Sequence, residues 1–333
     1  MSQKLRALLV MNDDRRADVY PRHVLDRLEE SVDFCHPPLN RIQLAASPDL
    51  MNDVDVLLTS WGAPRLDANF LASAPNLKAV LLAAGSIKEI VTDDFWSREI
   101  PIVSAAAANA IPVAEFTLAQ ILLSLKRAPV LARETARAGA LAQRPPLAGT
   151  YGSRVGLLSL GEIGLQVARF LQAFSVDVVA HDPYASTEQA TAAGVELVTL
   201  QELFASSQVV SIHCPLLPAT RGMVNRDLLE SMQPDATLIN TARGALINES
   251  DLIDVLAVRP DLTAMLDVTW PEPPAPGSPL YTLPNVFLTP HIAGSLGSEC
   301  GRLGALVADE CERFVKNENL IHEVSQARAQ KRA

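Results

Sequence analysis

The stretch "VGLLSLGEIGLQVARF", Val155 to Phe170, decides the fold. A short apolar run ends in Ser159-Leu160-Gly161-Glu162-Ile163-Gly164, and apolar residues at Ile163, Val167, Phe170 and Leu171 follow at helical spacing. This reads as strand, tight turn and amphipathic helix. Nucleotide-binding turns of this kind usually run G-x-G-x-x-G. Here the second and third glycines stand at Gly161 and Gly164, and a serine takes the first place. The second glycine lets backbone approach a diphosphate lying at the helix N-terminus, and the third lets helix pack closely on strand. Asp182 ends the next apolar run, "VDVVAHD", 21 residues beyond Gly161. An acid in that place binds ribose hydroxyls, and its charge repels a 2′-phosphate, so NAD rather than NADP is the expected cofactor. Contacts are expected from Gly161, Glu162, Ile163 and Gly164, with the Glu162 carboxylate directed away from the diphosphate.

Outward from this turn the chain keeps a strand and helix rhythm. "RVGLLSL", "VDVVAHD", "QVVSIHCP", "ATLINTA", "LTAMLDV" and "NVFLTPH" are six strand candidates from Arg154 on, most separated by helical segments. That is the doubly wound pattern of a Rossmann domain. Before it, "LRALLV" (Leu5 to Val10), "DVLLTS", "KAVLLAAG" and "IPIVSA" read as strands, with helical spacing in "RHVLDRLEESV" and "TDDFWSRE". They predict a smaller α/β domain with its own parallel sheet. A long helix is expected from about Pro112 to Arg137, with Pro112 in its first turn and an interruption at Pro129. A last helix is expected after "TPHIAG".

Composition narrows the partners. The chain has 333 residues and a net charge of -10, without a local Lys/Arg cluster, which argues against nucleic acid. No apolar run of membrane-spanning length is read from the sequence, so no membrane partner is expected. The N-terminus has too short an apolar core for a signal peptide. Cys35, Cys214, Cys300 and Cys311 have no metal-ligand spacing, so no metal is expected, and free thiols fit a reducing cytoplasm.

Three further stretches close later strands of the second domain: "NTARGALIN" (240–248), "LDVTWPEPP" (266–274) and "TPHIAG" (289–294). They bring Arg243, Glu272 and His291 to the strand ends where ligands bind in such sheets. Those residue types suit reduction of a 2-oxoacid. An arginine fork holds a carboxylate and polarises the neighbouring carbonyl. A histidine delivers the proton as hydride arrives, and a carboxylate beside it orients its ring.

In order and spacing these motifs resemble the N-T-A-R-G, D-V-x-x-x-E-P and P-H-I-A-G motifs of the D-isomer-specific 2-hydroxyacid dehydrogenases, a family that includes phosphoglycerate dehydrogenases and glyoxylate/hydroxypyruvate reductases. "HCPLLPATRGMVN" (213–225) is similar to the family's H-x-P-L-T-P-x-T-R-G segment, with Leu217 where Thr is common. The resemblance implies two α/β domains with parallel sheets, a Rossmann NAD-binding domain at 106–296 and a flavodoxin-like substrate domain at 1–105 and 297–333. It implies an NAD-dependent enzyme interconverting a D-2-hydroxyacid and its 2-oxoacid, with Arg243 as anchor, His291 as acid/base and Glu272 tuning His291. Cofactor contacts are implied at Cys214, Pro215, Thr220, Thr241, Ala242, Arg243, Asp267, His291 and Gly294, with Asp267 toward the nicotinamide. His213 reads as structural, and Cys214 as a backbone contact.

In the family a substrate-domain loop holds the substrate carboxylate with backbone N–H groups. The matching stretch "AAGSIKEI" (83–90) keeps Gly85 but not the commoner Gly-x-Gly-x-Asp form, and Ser86 and Ile87 are its candidate backbone donors. The family also implies a homodimer. Two alternatives are a related phosphonate dehydrogenase and an NAD-binding regulatory protein of the corepressor type. Formate oxidation is disfavoured because relatives with that activity carry glutamine where Glu272 stands.

Overall fold

Every strand in the computed structural model, which describes residues 4–330, belongs to one of two wholly parallel sheets. Residues 1–3 and 331–333, the ends of the expected substrate domain, lie outside the described residues. The chain packs as two compact units, one from residues up to Ala110 and from Ser295 on, the other Ile111–Gly294.

The first unit holds β1 (Leu5–Val10), β2 (Val32–Phe34), β3 (Val56–Thr59), β4 (Ala79–Leu82) and β5 (Ile102–Ser104), in the sheet order β2-β1-β3-β4-β5. This is the flavodoxin-like order. Strand β1 shows why its residues are apolar without alternation. Ala7 and Leu9 enter one core, with the helix Cys300–Val315, while Leu8 and Val10 enter a second core on the other face. A parallel sheet covered on both faces needs apolar side chains at every position.

The second unit holds β6 (Arg154–Leu158), β7 (Asp177–His181), β8 (Glu196–Leu197), β9 (Val209–Ile212), β10 (Thr237–Asn240), β11 (Thr263–Leu266) and β12 (Val286–Leu288), in the order β12-β11-β10-β9-β6-β7-β8. The glycine turn follows β6, between β9 and β7, where the order of strands reverses. Such a switch point is where an open parallel sheet leaves a crevice for a ligand.

The structure departs from the sequence reading at several places. Val32, read as the end of a helix, begins β2; the helix stops at Ser31. The two-residue strand β8 had no sequence reading at all. The long helix starts at Ala106, not Pro112, and runs to Leu125, so Pro112 lies inside it. A second helix, Ala128–Ala138, follows Arg127, whose φ of 49° breaks the run two residues before Pro129. Finally, the helix Ala106–Leu125 is 20 residues long with a mean hydropathy of 1.4, so by length and composition it is able to cross a membrane. Its apolar character has an internal use, because Ala114, Ile121 and Leu125 pack into the core beneath β6 and β7.

Candidate active site

The glycine turn is shaped by one close approach. A Cβ on Gly164 would lie 2.2 Å from the Ser159 carbonyl oxygen, so no other residue fits there without moving the turn. A Cβ on Gly161 would meet only the Ser159 hydroxyl, at 3.9 Å, and Gly161 is the cap from which the helix Glu162–Leu171 starts. Open space above a helix N-terminus that no side chain caps suits a diphosphate. Glu162 is exposed, and Ile163 packs against the core. Ser159 has a φ of 83°, a left-handed conformation that costs a non-glycine residue roughly 1–2 kcal/mol.

Asp182 sits at the end of β7 and is tied to that turn. Its Oδ2 accepts from the Ser159 hydroxyl (3.0 Å) and the Leu160 N–H (2.8 Å), and its Oδ1 accepts from the Tyr184 N–H (2.8 Å). The residues present therefore fit a dinucleotide: an open helix N-terminus beside a fixed carboxylate.

Around the other strand ends, three loops are held together by few residues. Asn240 closes the first: its Oδ1 accepts from the Ala242 N–H (3.0 Å) and its Nδ2 donates to the Arg243 carbonyl (2.9 Å). Gly244 lets this loop meet the next one, since a Cβ there would lie 1.9 Å from the Thr269 carbonyl carbon. The Thr241 hydroxyl bonds that of Thr117 at 3.0 Å.

Asp267 organises the third loop. Its Oδ1 accepts from the Thr289 hydroxyl (2.6 Å) and the Ile292 N–H (2.8 Å), and its Oδ2 accepts from the Ala293 N–H (2.9 Å). The His291 N–H donates to the Asp267 and Thr289 carbonyls. These bonds fix His291 in a left-handed conformation, with a φ of 54°, and its Nδ1 lies 2.6 Å from Glu272 Oε1. Both side chains of this pair are about half exposed.

Neighbouring residues also make bonds within the protein. The Thr220 hydroxyl donates to the Pro215 carbonyl (2.6 Å) and accepts from the Leu217 N–H, so it shapes its own turn. The Cys214 thiol is buried, and burial pushes its pKa up to about 12, which keeps it protonated and unreactive. Burial holds His213 neutral, its pKa pushed down to about 4, with Nε2 3.0 Å from the Ser211 hydroxyl. In the first unit, the Ser104 hydroxyl donates to the carbonyls of Ala84 and Gly85, pinning the start of the Ser86–Ile87 loop. There Ile87 is buried, and the Ser86 hydroxyl accepts from the Lys88 N–H at 3.4 Å. Three residues that shape the site carried no sequence expectation as contacts: Asn240, Gly244 and Ser159. The asparagine within N-T-A-R-G was the available signal for the first.

Comparison with known proteins agrees with this arrangement. Residues 118–293, more than half of the chain, match the model of the D-isomer specific 2-hydroxyacid dehydrogenase, NAD binding domain. The chain belongs to that family, and its second unit contains an NAD-binding domain. It is 35% identical over 268 residues to D-3-phosphoglycerate dehydrogenase of Mycobacterium bovis, a match covering 80% of this chain and 49% of that protein. The chain thus spans about half the length of the curated relatives it matches. A D-isomer specific 2-hydroxyacid dehydrogenase of Xanthobacter autotrophicus, solved with NADPH and MES, superposes with a TM-score of 0.75 at 26% identity, covering 97% of this chain and 99% of that one. The NAD-complexed enzyme of Lactobacillus delbrueckii gives a TM-score of 0.80 at 19% identity over 96% and 99% of the two chains, which shows a common fold.

Proposed function

We propose that this protein is an NAD-dependent oxidoreductase interconverting a D-2-hydroxyacid and its 2-oxoacid. The observation that carries the reading is the His291–Glu272 pair, held 2.6 Å apart on a loop that Asp267 fastens to the end of β11. Glu272 accepts the Nδ1 proton of His291, which turns Nε2 toward the carbonyl oxygen of a 2-oxoacid. Arg243 holds the carboxylate and polarises that carbonyl. Bound NAD(H) supplies or accepts the hydride. His291 delivers the proton to the oxygen in reduction and removes it in oxidation. Gly161 and the helix N-terminus receive the diphosphate, and Asp182 receives the adenosine ribose and disfavours a 2′-phosphate. We assign the cofactor to 106–296, and the substrate carboxylate to Ser86 and Ile87 in the domain formed by 1–105 and 297–333.

Two coarser readings complete the proposal. A homodimer is supported by the exposed side chains of Leu123, Leu141, Leu147 and Tyr151, which cluster in one segment of the second unit. A cytoplasmic location is supported by four free cysteines, three of them buried. Incubation with NADH and a set of 2-oxoacids, followed by chiral separation of the product, tests the reaction. A D-2-hydroxyacid is expected; an L-product or none refutes the reading. 3-Phosphoglycerate belongs in the oxidative arm, because the M. bovis relative bears that name.

A further inference from the structure

The Asp182 carboxylate offers about four lone-pair sites. Three are taken within the protein: two on Oδ2, by the Ser159 hydroxyl and the Leu160 N–H, and one on Oδ1, by the Tyr184 N–H. The single remaining site is on Oδ1. The adenosine ribose carries two adjacent hydroxyls, so this carboxylate accepts only one of them.

The same bond gives the serine a direction. The Ser159 hydroxyl donates its one proton to Asp182, so toward any ligand its oxygen is an acceptor. That oxygen lies on the side of the turn that faces Gly161, where a Cβ would be 3.9 Å from it and nothing else stands within 4 Å. Its backbone is held in the left-handed region while its N–H donates to the His181 carbonyl at 2.9 Å. A residue kept in that conformation beside a ligand crevice points to a role for its side chain.

We propose that Ser159 is a cofactor-positioning residue: its hydroxyl receives one ribose hydroxyl of the adenosine half while Asp182 receives the other. The ribose then meets a serine–aspartate pair in place of the lone carboxylate that a glycine turn provides. This rests on the NAD reading of the site and adds a residue to it. The hydroxyl is neutral, so Ser159 contributes to affinity without adding to the repulsion of a 2′-phosphate.

Binding to the full-length protein tests this without turnover. Dissociation constants are measured calorimetrically for AMP, 2′-deoxy-AMP and 3′-deoxy-AMP, and by fluorescence for NADH. The proteins are the wild type, Ser159→Ala, Ser159→Gly and Asp182→Ala. Alanine keeps the strained backbone and removes the hydroxyl, while glycine relieves the strain as well, so a folding defect in the first leaves the second informative. Both serine variants are expected to bind AMP and NADH roughly three- to ten-fold more weakly. In both, the penalty for removing one ribose hydroxyl should vanish while the penalty for the other persists. Unchanged or tighter binding in both serine variants overturns the proposal. So does equal weakening for all three nucleotides, which would confine Ser159 to shaping the turn. If Asp182→Ala keeps full discrimination among the three nucleotides, the ribose binds elsewhere and the site reading fails along with the proposal.

Discussion

His291 Nδ1 and Glu272 Oε1 stand 2.6 Å apart, although the two residues lie 19 positions apart in the chain across a proline-rich loop. In the proposed mechanism this bond turns Nε2 toward the substrate. Glu272→Ala removes this control and leaves the ring free to rotate. Its kcat is expected to fall about 10- to 100-fold with NADH affinity within about two-fold. Steady-state kinetics and NADH titration check this, and an unchanged kcat would show that Glu272 does not orient the ring.

Gly161 and Gly164 differ in what surrounds them, so their alanine variants should differ too. Gly164→Ala forces a methyl against the Ser159 carbonyl, 2.2 Å away, and should lower both Tm and NADH affinity. Gly161 has a φ of -68°, which alanine adopts freely, and faces open space. Gly161→Ala should keep Tm within about 2 °C while weakening NADH by about ten-fold or more. Equal effects on Tm from the two variants would contradict the open space assigned above Gly161.

Asp267 accepts three hydrogen bonds and is buried. Asparagine in its place sets an NH2 group against a backbone N–H or a hydroxyl that needs an acceptor. Asp267→Asn is expected to lose roughly 2–3 kcal/mol of stability and to lower kcat, because the loop that carries His291 loosens. Urea unfolding at neutral pH measures the first effect, and an unchanged midpoint would show that the loop holds without this carboxylate.

His213 gives a pH dependence whose sign is fixed by burial. Its pKa falls from 6.5 to about 4 on folding. Between those values the unfolded chain binds the extra proton, so stability is fully present above about 6.5 and is lost as pH falls toward 4. Going from pH 7.5 to 4.5 should cost the wild type roughly 2–3 kcal/mol more than it costs His213→Asn. Parallel loss in the two proteins would show that His213 is not the group responsible.

Much of this arrangement was legible in the sequence because it rests on composition at strand ends. The runs before Gly161, Arg243 and His291 are short and apolar, and each is followed by residues with few structural uses at that spot. The misreadings have physical causes. Strands β2 and β8 have three and two residues, too few for any period to show. Pro112 resembles a helix start because proline favours the first turn, yet the alanines from Ala106 on carry the helix through it. The conformation of Ser159 and its bond to Asp182 join residues 23 apart through a tight turn, and no spacing rule reports a backbone angle. Asp267 was expected as a cofactor contact, and no spacing rule shows that its side chain also fastens the His291 loop.

The central claim is that His291 moves the proton in an NADH-dependent reduction of a 2-oxoacid. Its most direct test is NADH oxidation followed at 340 nm across a panel of 2-oxoacids, for the wild type and His291→Asn, with NADH affinity titrated in both. The expected result is turnover of at least one acid by the wild type, a loss of about 100-fold or more in the variant, and NADH affinities that agree within about two-fold. Ordinary turnover by His291→Asn, or none by the wild type on any acid, would contradict the claim.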